Sequence, residues 1–155
     1  MAPDQPASPP RPASPEPQYT RTQPTRAAID EIRPHVGRDV AAGRLYDTAG
    51  RPLTPLVGPG DPRAATGLAP SYRSLRFVTH VESAATAHMR RNGIRAAVLY
   101  LNMRPCTGED GCHQNLEATL PPGYRLTVYQ VRPNGSVRVW YFPGTGEGLG
   151  DERDG

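Results

Sequence analysis

Apolar residues recur along this chain in more than one rhythm. Between residues 26 and 42, Ile29, Ile32, Val36 and Val40 fall at i, i+3, i+7 and i+11, the spacing that lines up one face of a helix. Pro34 interrupts that run, so the spacing predicts a short helix before it and a turn or loop after it. Residues 43–53 read as a β-hairpin with Thr48-Ala49-Gly50 in the turn. Residues 57–70 are turn-rich, with room for one short helical turn. The helical rhythm returns after Thr79. Val81, Ala84, Ala85, His88 and Met89 make the inner stripe of a helix that runs to about Arg91 and stops at Asn92-Gly93. Thr79 is the expected N-cap, with Glu82 at the third helical position of a capping box. Residues 94–103 (IRAAVLYLNM) are almost continuously apolar, which suits a central strand covered on both faces. Cys112 opens a short helix (CHQNLEATL) ended by Pro121-Pro122. Residues 124–131 and 136–142 alternate as strands around a Pro133-Asn134-Gly135 turn.

The order is helix, hairpin, helix, strand, helix, strand, strand. The last connection is too short for a parallel crossover, so the final two strands are antiparallel neighbours. The expectation is an α/β fold: one mixed sheet with helices on its faces.

Composition trims this domain at both ends. The chain has 155 residues, and 19 of them are Pro. The prolines crowd residues 1–25, which cannot bury enough apolar surface to offset their ordering entropy and are expected to be a disordered tail. Residues 144–155 (GTGEGLGDERDG) are Gly-rich and acidic and are expected to be flexible, leaving 26–143 as the domain. The formal net charge is +3, all of its cations being Arg. The acidic end carries Arg153 against Glu147, Asp151, Glu152 and Asp154, so the middle of the chain is more basic than the whole. That balance fits a polyanionic partner such as nucleic acid, and equally a genome that prefers Arg codons. No apolar run approaches the ~20 residues of a membrane span, and the N-terminus lacks the pattern of a secretory signal. No membrane association and a monomer are expected.

The candidate chemistry lies in four residues. His80 and Glu82 sit two apart at a helix start, Cys106 follows Pro105, and Cys112 opens the next helix. One imidazole and two thiolates hold Zn²⁺ and leave a fourth position for water. Zinc lowers the pKa of such a water to about 7. A carboxylate that is not a ligand then moves protons to the substrate ring and the leaving amine. This is the signature of zinc-dependent nucleobase deaminases. Each residue alone has a plainer role: a surface or core His, a capping Glu, two buried thiols. Two cysteines across a Gly-containing loop are not a disulfide framework. The combination, with a strand of the right length between the helices, favours the metal. His88 and His113 are alternative ligands, His88 being on the inner stripe and His113 beside Cys112. Asn102, at the end of the central strand, either orients substrate or holds the loop. Tyr72, Tyr100, Trp140 and Tyr141 are stacking candidates with core packing as the plainer role. Arg73, Arg76, Arg90, Arg91 and Arg104 could hold phosphates or simply be solvated.

Thr79-His80-Val81-Glu82, Met89 to Gly93, the strand Ala97 to Asn102, Pro105-Cys106, Gly111-Cys112 and Leu120-Pro121-Pro122-Gly123 with Leu126-Thr127-Val128 resemble the bacterial deaminase toxins related to the double-stranded-DNA cytosine deaminase (DddA-like). The hairpin at residues 43–53 is also similar to the start of that family, and the resemblance covers about residues 38–142. It implies a cytidine-deaminase-like fold, zinc-dependent C-to-U conversion in single- or double-stranded DNA, and a toxin that acts in the cytoplasm of a target cell and meets an immunity protein. It implies that His80, Cys106 and Cys112 bind zinc, that Glu82 shuttles protons, and that the backbone amide of Val81 faces the pyrimidine carbonyl. One departure stands out. The superfamily's usual Pro-Cys-x-x-Cys is here a longer Cys106-Thr-Gly-Glu-Asp-Gly-Cys112, in which Gly108 and Gly111 let the loop fold back. The rival expectations are a deaminase of RNA or free nucleosides and nucleotides, and a zinc module without chemistry.

Overall fold

The computed structural model describes residues 23–73, 75–105 and 112–150, and the side chains of all of these except 76, 77 and 112–114. The helices are α1 (Arg26–Ile32), α2 (Pro70–Arg73), α3 (Val81–Asn92) and α4 (Cys112–Ala118), and the strands are β1 (Gly43–Tyr46), β2 (Ala96–Leu101), β3 (Arg125–Val131) and β4 (Val137–Pro143). The strands form one sheet in the order β1-β2-β3-β4. β2 runs parallel to β3, with α4 in the connection, while β1–β2 and β3–β4 are antiparallel. This is the expected mixed α/β sheet with a terminal hairpin. Among the described residues no helix is long and apolar enough to cross a membrane.

Alternation along the strands divides the core in two. Ala97, Leu99 and Leu101 of β2 join Leu126, Val128 and Phe142 under α3 and α4. Val98 and Tyr100 join Tyr46, Tyr129 and Val131 under Ala28 and Ile32 of α1. β2 is therefore covered on both faces, which is why its sequence is continuously apolar. On the α1 face, Tyr46, Tyr100 and Tyr129 meet ring to ring, with centroids 5.3 and 5.1 Å apart. The hydroxyl of Tyr46 donates to Glu31 at 2.9 Å, and burial followed by that bond pushes its pKa up to about 12.

α1 ends where Pro34 predicts, and residues Arg33–His35 continue as one 3₁₀ turn. Beyond it the chain is a loop, as Pro34 predicts. Val40 is 61% exposed, because Gly37, with a φ of +88°, turns the chain away from the sheet. The hairpin at 43–53 is present in reduced form. β1 is met by Leu53, whose amide donates to Leu45 O, and by a single bridge from Pro52 to Tyr46.

The start of α3 also differs from the capping-box expectation. The N-cap is His80, not Thr79, and Glu82 is the second helical residue. The reason lies upstream: Arg76–Thr79 form a 3₁₀ turn, so Thr79 is spent completing that turn. The C-terminal stop is as expected, with Gly93 left-handed at φ 65° and the Ile94 amide reaching back to Met89 O.

Residues 144–150, expected to be flexible, are bonded into the domain. Thr145 N and Gly148 N donate to Glu117 O and Ala118 O at the end of α4, and Gly150 N donates to Gly67 O. Glycines allow this, since Gly148 lies flat against the Tyr72 ring, where a β-carbon would come to 2.8 Å. The tails at 1–22 and 151–155 lie outside the described residues.

Candidate functional site

The site is built around the first turn of α3. His80 has extended backbone (φ −81°, ψ 158°) and its side chain does not cap the helix. Its carbonyl accepts from the Ser83 and Ala84 amides, which starts the helix and fixes His80 at its mouth. Glu82 is only 4% exposed, and Val81 is fully buried. The amides of Val81 and Glu82 belong to the first turn, where no intrahelical carbonyl can reach, and the positive end of the helix dipole favours anionic groups there.

The facing wall is the loop before β1, and Asn102 holds it. Asn102 is 4% exposed. Its Oδ1 accepts from Ala42 N at 2.8 Å, and its Nδ2 donates to His35 O at 2.8 Å and Val40 O at 2.9 Å. Its own amide donates to Ala42 O. Both side-chain hydrogens are thus committed to the loop, so the geometry favours the loop-holding role over direct orientation of substrate.

Between these walls lies a cavity of about 450 Å³. His80 and Glu82 form one side, and Asp39, Val40 and Ala41 form the other. Pro59, Met103 and Arg104 complete the lining. Asp39, Val40, Pro59 and Met103 were not singled out from sequence. Exposed Val40 at the mouth offers an apolar edge to a planar ring. The only signals for it were Pro34 and Gly37, which break the helical register that otherwise assigns Val40 to the core.

Cys106 lies outside the described residues. Cys112 opens α4, and its side chain, like that of His113, lies outside them as well. α4 is held beside α3 by polar groups. The buried Thr86 and Thr119 hydroxyls lie 2.9 Å apart, and the Arg90 guanidinium donates to Thr119 O at 3.0 Å and to Ala64 O at 3.3 Å. Burial and then neighbouring Arg91 push the Arg90 pKa down to about 10, which leaves it cationic at neutral pH. Arg90 is therefore a structural clamp rather than a phosphate contact.

The remaining candidates fall away from this cavity. Tyr100 packs on the opposite face of the sheet, under α1. Tyr72 and Trp140 are partly buried against the main core, and Arg138 stacks 4.5 Å from the Trp140 ring. Tyr141 is exposed on β4. His88 lines a second cavity on α3, beyond the reach of His80.

Among the described residues no cluster of three or more His, Cys, Asp or Glu is formed that could hold a metal ion. Of the expected ligand set, Cys106 and the side chain of Cys112 lie outside what is described. The described residues place the His80 imidazole at the helix mouth and the buried Glu82 carboxylate two residues on, both lining one cavity. The set of one imidazole and two thiolates is chemically a zinc set.

The family model described as SCP1.201-like deaminase matches residues 12–146. Among curated proteins none matches the chain.

Proposed function

The chain belongs to the SCP1.201-like deaminase family, a deaminase family of the cytidine-deaminase-like kind, and from that premise we propose that it converts cytosine to uracil in DNA as a zinc-dependent, DddA-like toxin domain. His80, Cys106 and Cys112 would hold the metal. When bound, zinc lowers the pKa of a coordinated water to about 7 and so supplies a nucleophile at neutral pH.

The observation that carries the reading is the burial of Glu82 beside His80 on one cavity. A carboxylate taken out of water is costly unless its surroundings use it. Here it sits where a ring entering past Val40 would meet it. In the proposed reaction water adds to C4 of cytosine. Glu82 takes a proton from that water and passes it to N3, and then delivers the second proton to the exocyclic amine as the C4–N bond breaks. Cytosine and water become uracil and ammonia. The Val81 amide faces the pyrimidine carbonyl and fixes the ring's orientation. A base in a duplex cannot enter such a cavity, so the target is single-stranded or flipped out.

The test is uracil formation on matched single-stranded and duplex DNA by wild type and Glu82→Ala, with zinc content measured in both. Uracil from wild type alone, with zinc retained in the variant, is the expected result. Turnover surviving in Glu82→Ala refutes the mechanism. Bound zinc without uracil on either DNA redirects the assay to RNA and free nucleosides. An immunity protein is the expected partner, and export to a target cell the expected route.

A further inference from the structure

A second cavity, of about 230 Å³, opens one to two turns further along α3. Its floor is apolar: Leu45 and Leu99 from the sheet, Leu53 and Val57 from the segment beside β1, and the small Ala84 and Ala85 of the helix. Because two alanines stand where larger residues would fill the gap, the floor is a recess under the helix. At about 30 Å³ per water it has room for about eight waters, comparable to the heavy-atom count of a pyrimidine base. The rim is polar and carries Asp61, Arg63, His88 and Arg91. Arg63 is held in place by Asp61 through an ion pair at 3.2 Å. Arg91 is exposed and, among the described residues, within ion-pair distance of no carboxylate. Burial, then Arg91 and Arg63, push the His88 pKa down, so the imidazole at the rim is a neutral hydrogen-bonding group.

The two cavities are neighbours along one helix and share a wall. His80 and Glu82 face the first, and Ala84, Ala85, His88 and Arg91 the second. From Glu82 to His88 the helix rises about 9 Å, the reach of one or two nucleotides of an extended strand. The chain between Val57 and Asp61 separates the cavities, and it is anchored by Gly60 N donating to Thr79 O at 2.7 Å.

We propose that this recess is a second nucleotide site: its apolar floor takes a nucleobase and Arg91, with Arg63, takes the attached phosphate. The inference deepens the proposed function, since a nucleotide neighbouring the target on the same strand is one source of that group and a free mononucleotide is the other. An apolar slot with a cationic, hydrogen-bonding rim matches a base with its phosphate and disfavours an acidic peptide, which has nothing planar to fill the floor.

The binding test does not depend on catalysis. Thymidine 5′-monophosphate, which has no amine to lose, is titrated into the full chain with its metal, and backbone amide shifts are followed by NMR. The expected result is saturable shifts at Ala84, Ala85, His88 and Arg91. Thymidine without phosphate should bind at least fivefold more weakly, and so should thymidine 5′-monophosphate to the exposed-site variant Arg91→Glu. A second variant, Ala84→Leu, fills the recess and should abolish the shifts while leaving those at His80 unchanged. Shifts confined to His80 and Glu82, or no saturable shifts at all, overturn the proposal even if deamination is established. A second arm separates the sources: oligonucleotides with an abasic residue one or two positions from the target cytosine. A fall in kcat/KM for these, lost in Arg91→Glu, assigns the site to the substrate strand. Binding without that dependence assigns it to a free nucleotide.

Discussion

Asn102 is the residue on which the shape of the candidate site depends most directly, and its replacement has a calculable cost. Asn102→Ala removes three side-chain hydrogen bonds, to Ala42 N, His35 O and Val40 O, all at 2.8–2.9 Å. Each is worth about 1 kcal/mol net, and the partners that stay buried lose their bond without regaining water, so the expected loss is about 3 kcal/mol. For a domain of this size that corresponds to a fall in Tm of about 10 °C. Asn102→Asp sharpens the test. Its Oδ1 still accepts from Ala42 N, but the second oxygen now faces two carbonyl oxygens, which disfavours the ionised form. The folded-state pKa of that aspartate is therefore raised above its unfolded value of about 3.9. The folded variant then binds more protons than the unfolded one, so stability falls as pH rises above about 4 and recovers on acidification. Urea unfolding from pH 4 to 8, with hydrogen exchange at the Ala42 amide, reads both effects. A loss under about 0.5 kcal/mol in Asn102→Ala, with Ala42 protection unchanged, would refute the assignment of Asn102 as the strut of the site wall.

Three further outcomes follow from the same geometry. Tyr46 has its pKa raised to about 12 by burial and by its bond to Glu31, so the folded state holds this proton longer than the unfolded chain. Its stabilising contribution is complete below pH 10 and is lost as pH rises towards 12, and Tyr46→Phe should flatten that part of the stability curve measured by urea unfolding. Arg90→Met leaves the carbonyls of Ala64, Thr66 and Thr119 without their donor and should cost about 3 kcal/mol. Arg90→Lys should recover less than half of that loss in denaturant titrations, because one ammonium cannot span the fork. In Gly144→Ala the new β-carbon would overlap Pro121 O, a backbone atom that cannot swing aside, so the segment 144–150 should detach at a cost of about 1–3 kcal/mol. Limited proteolysis after Pro143 detects this, and Gly58→Ala, whose β-carbon would meet only Ala41 O at 3.8 Å, is the control for replacing a glycine without a clash.

The sheet was legible in the sequence because its signals are local. The continuous apolar run 94–103 became β2, the alternation after Tyr124 became β3, and Asn134-Gly135 made the hairpin to β4. The start of α3 was legible to within a residue, but the choice of cap was not. Ser and Thr preferences at caps assume an extended residue before the helix, and here a 3₁₀ turn occupies Thr79 first. Val40 shows the same point from the other side: it continues the helical spacing, but Pro34 ends the helix and Val40 lies exposed in the loop that follows. The ordering of residues 144–150 had no composition signal at all. Glycine-rich, acidic chain reads as flexible, and only the grooves beside Tyr72, Leu120 and Pro121 show why glycine is needed there.

The burial of Glu82 was the least legible feature and the one with most bearing on function. A single inner stripe was expected for α3, yet every residue from Val81 to Ala87 is buried. The helix sequence there is Val-Glu-Ser-Ala-Ala-Thr-Ala, in which small residues let the sheet, α4 and the turns at 62–65 and 76–79 approach from all sides. A helix so enclosed has no solvent face on which to place a carboxylate. Glu82 therefore opens onto the cavity rather than into bulk water, and the enclosure of residues 81–87 leaves His80 at the helix's N-terminal mouth. The small residues that give α3 no amphipathic signal are thus the ones that aim its first turn at the cavity. Enlarging Ala87, which is fully buried and lines neither cavity, should alter the site's geometry as well as the core, whereas an equal change at exposed Asn92 should alter neither.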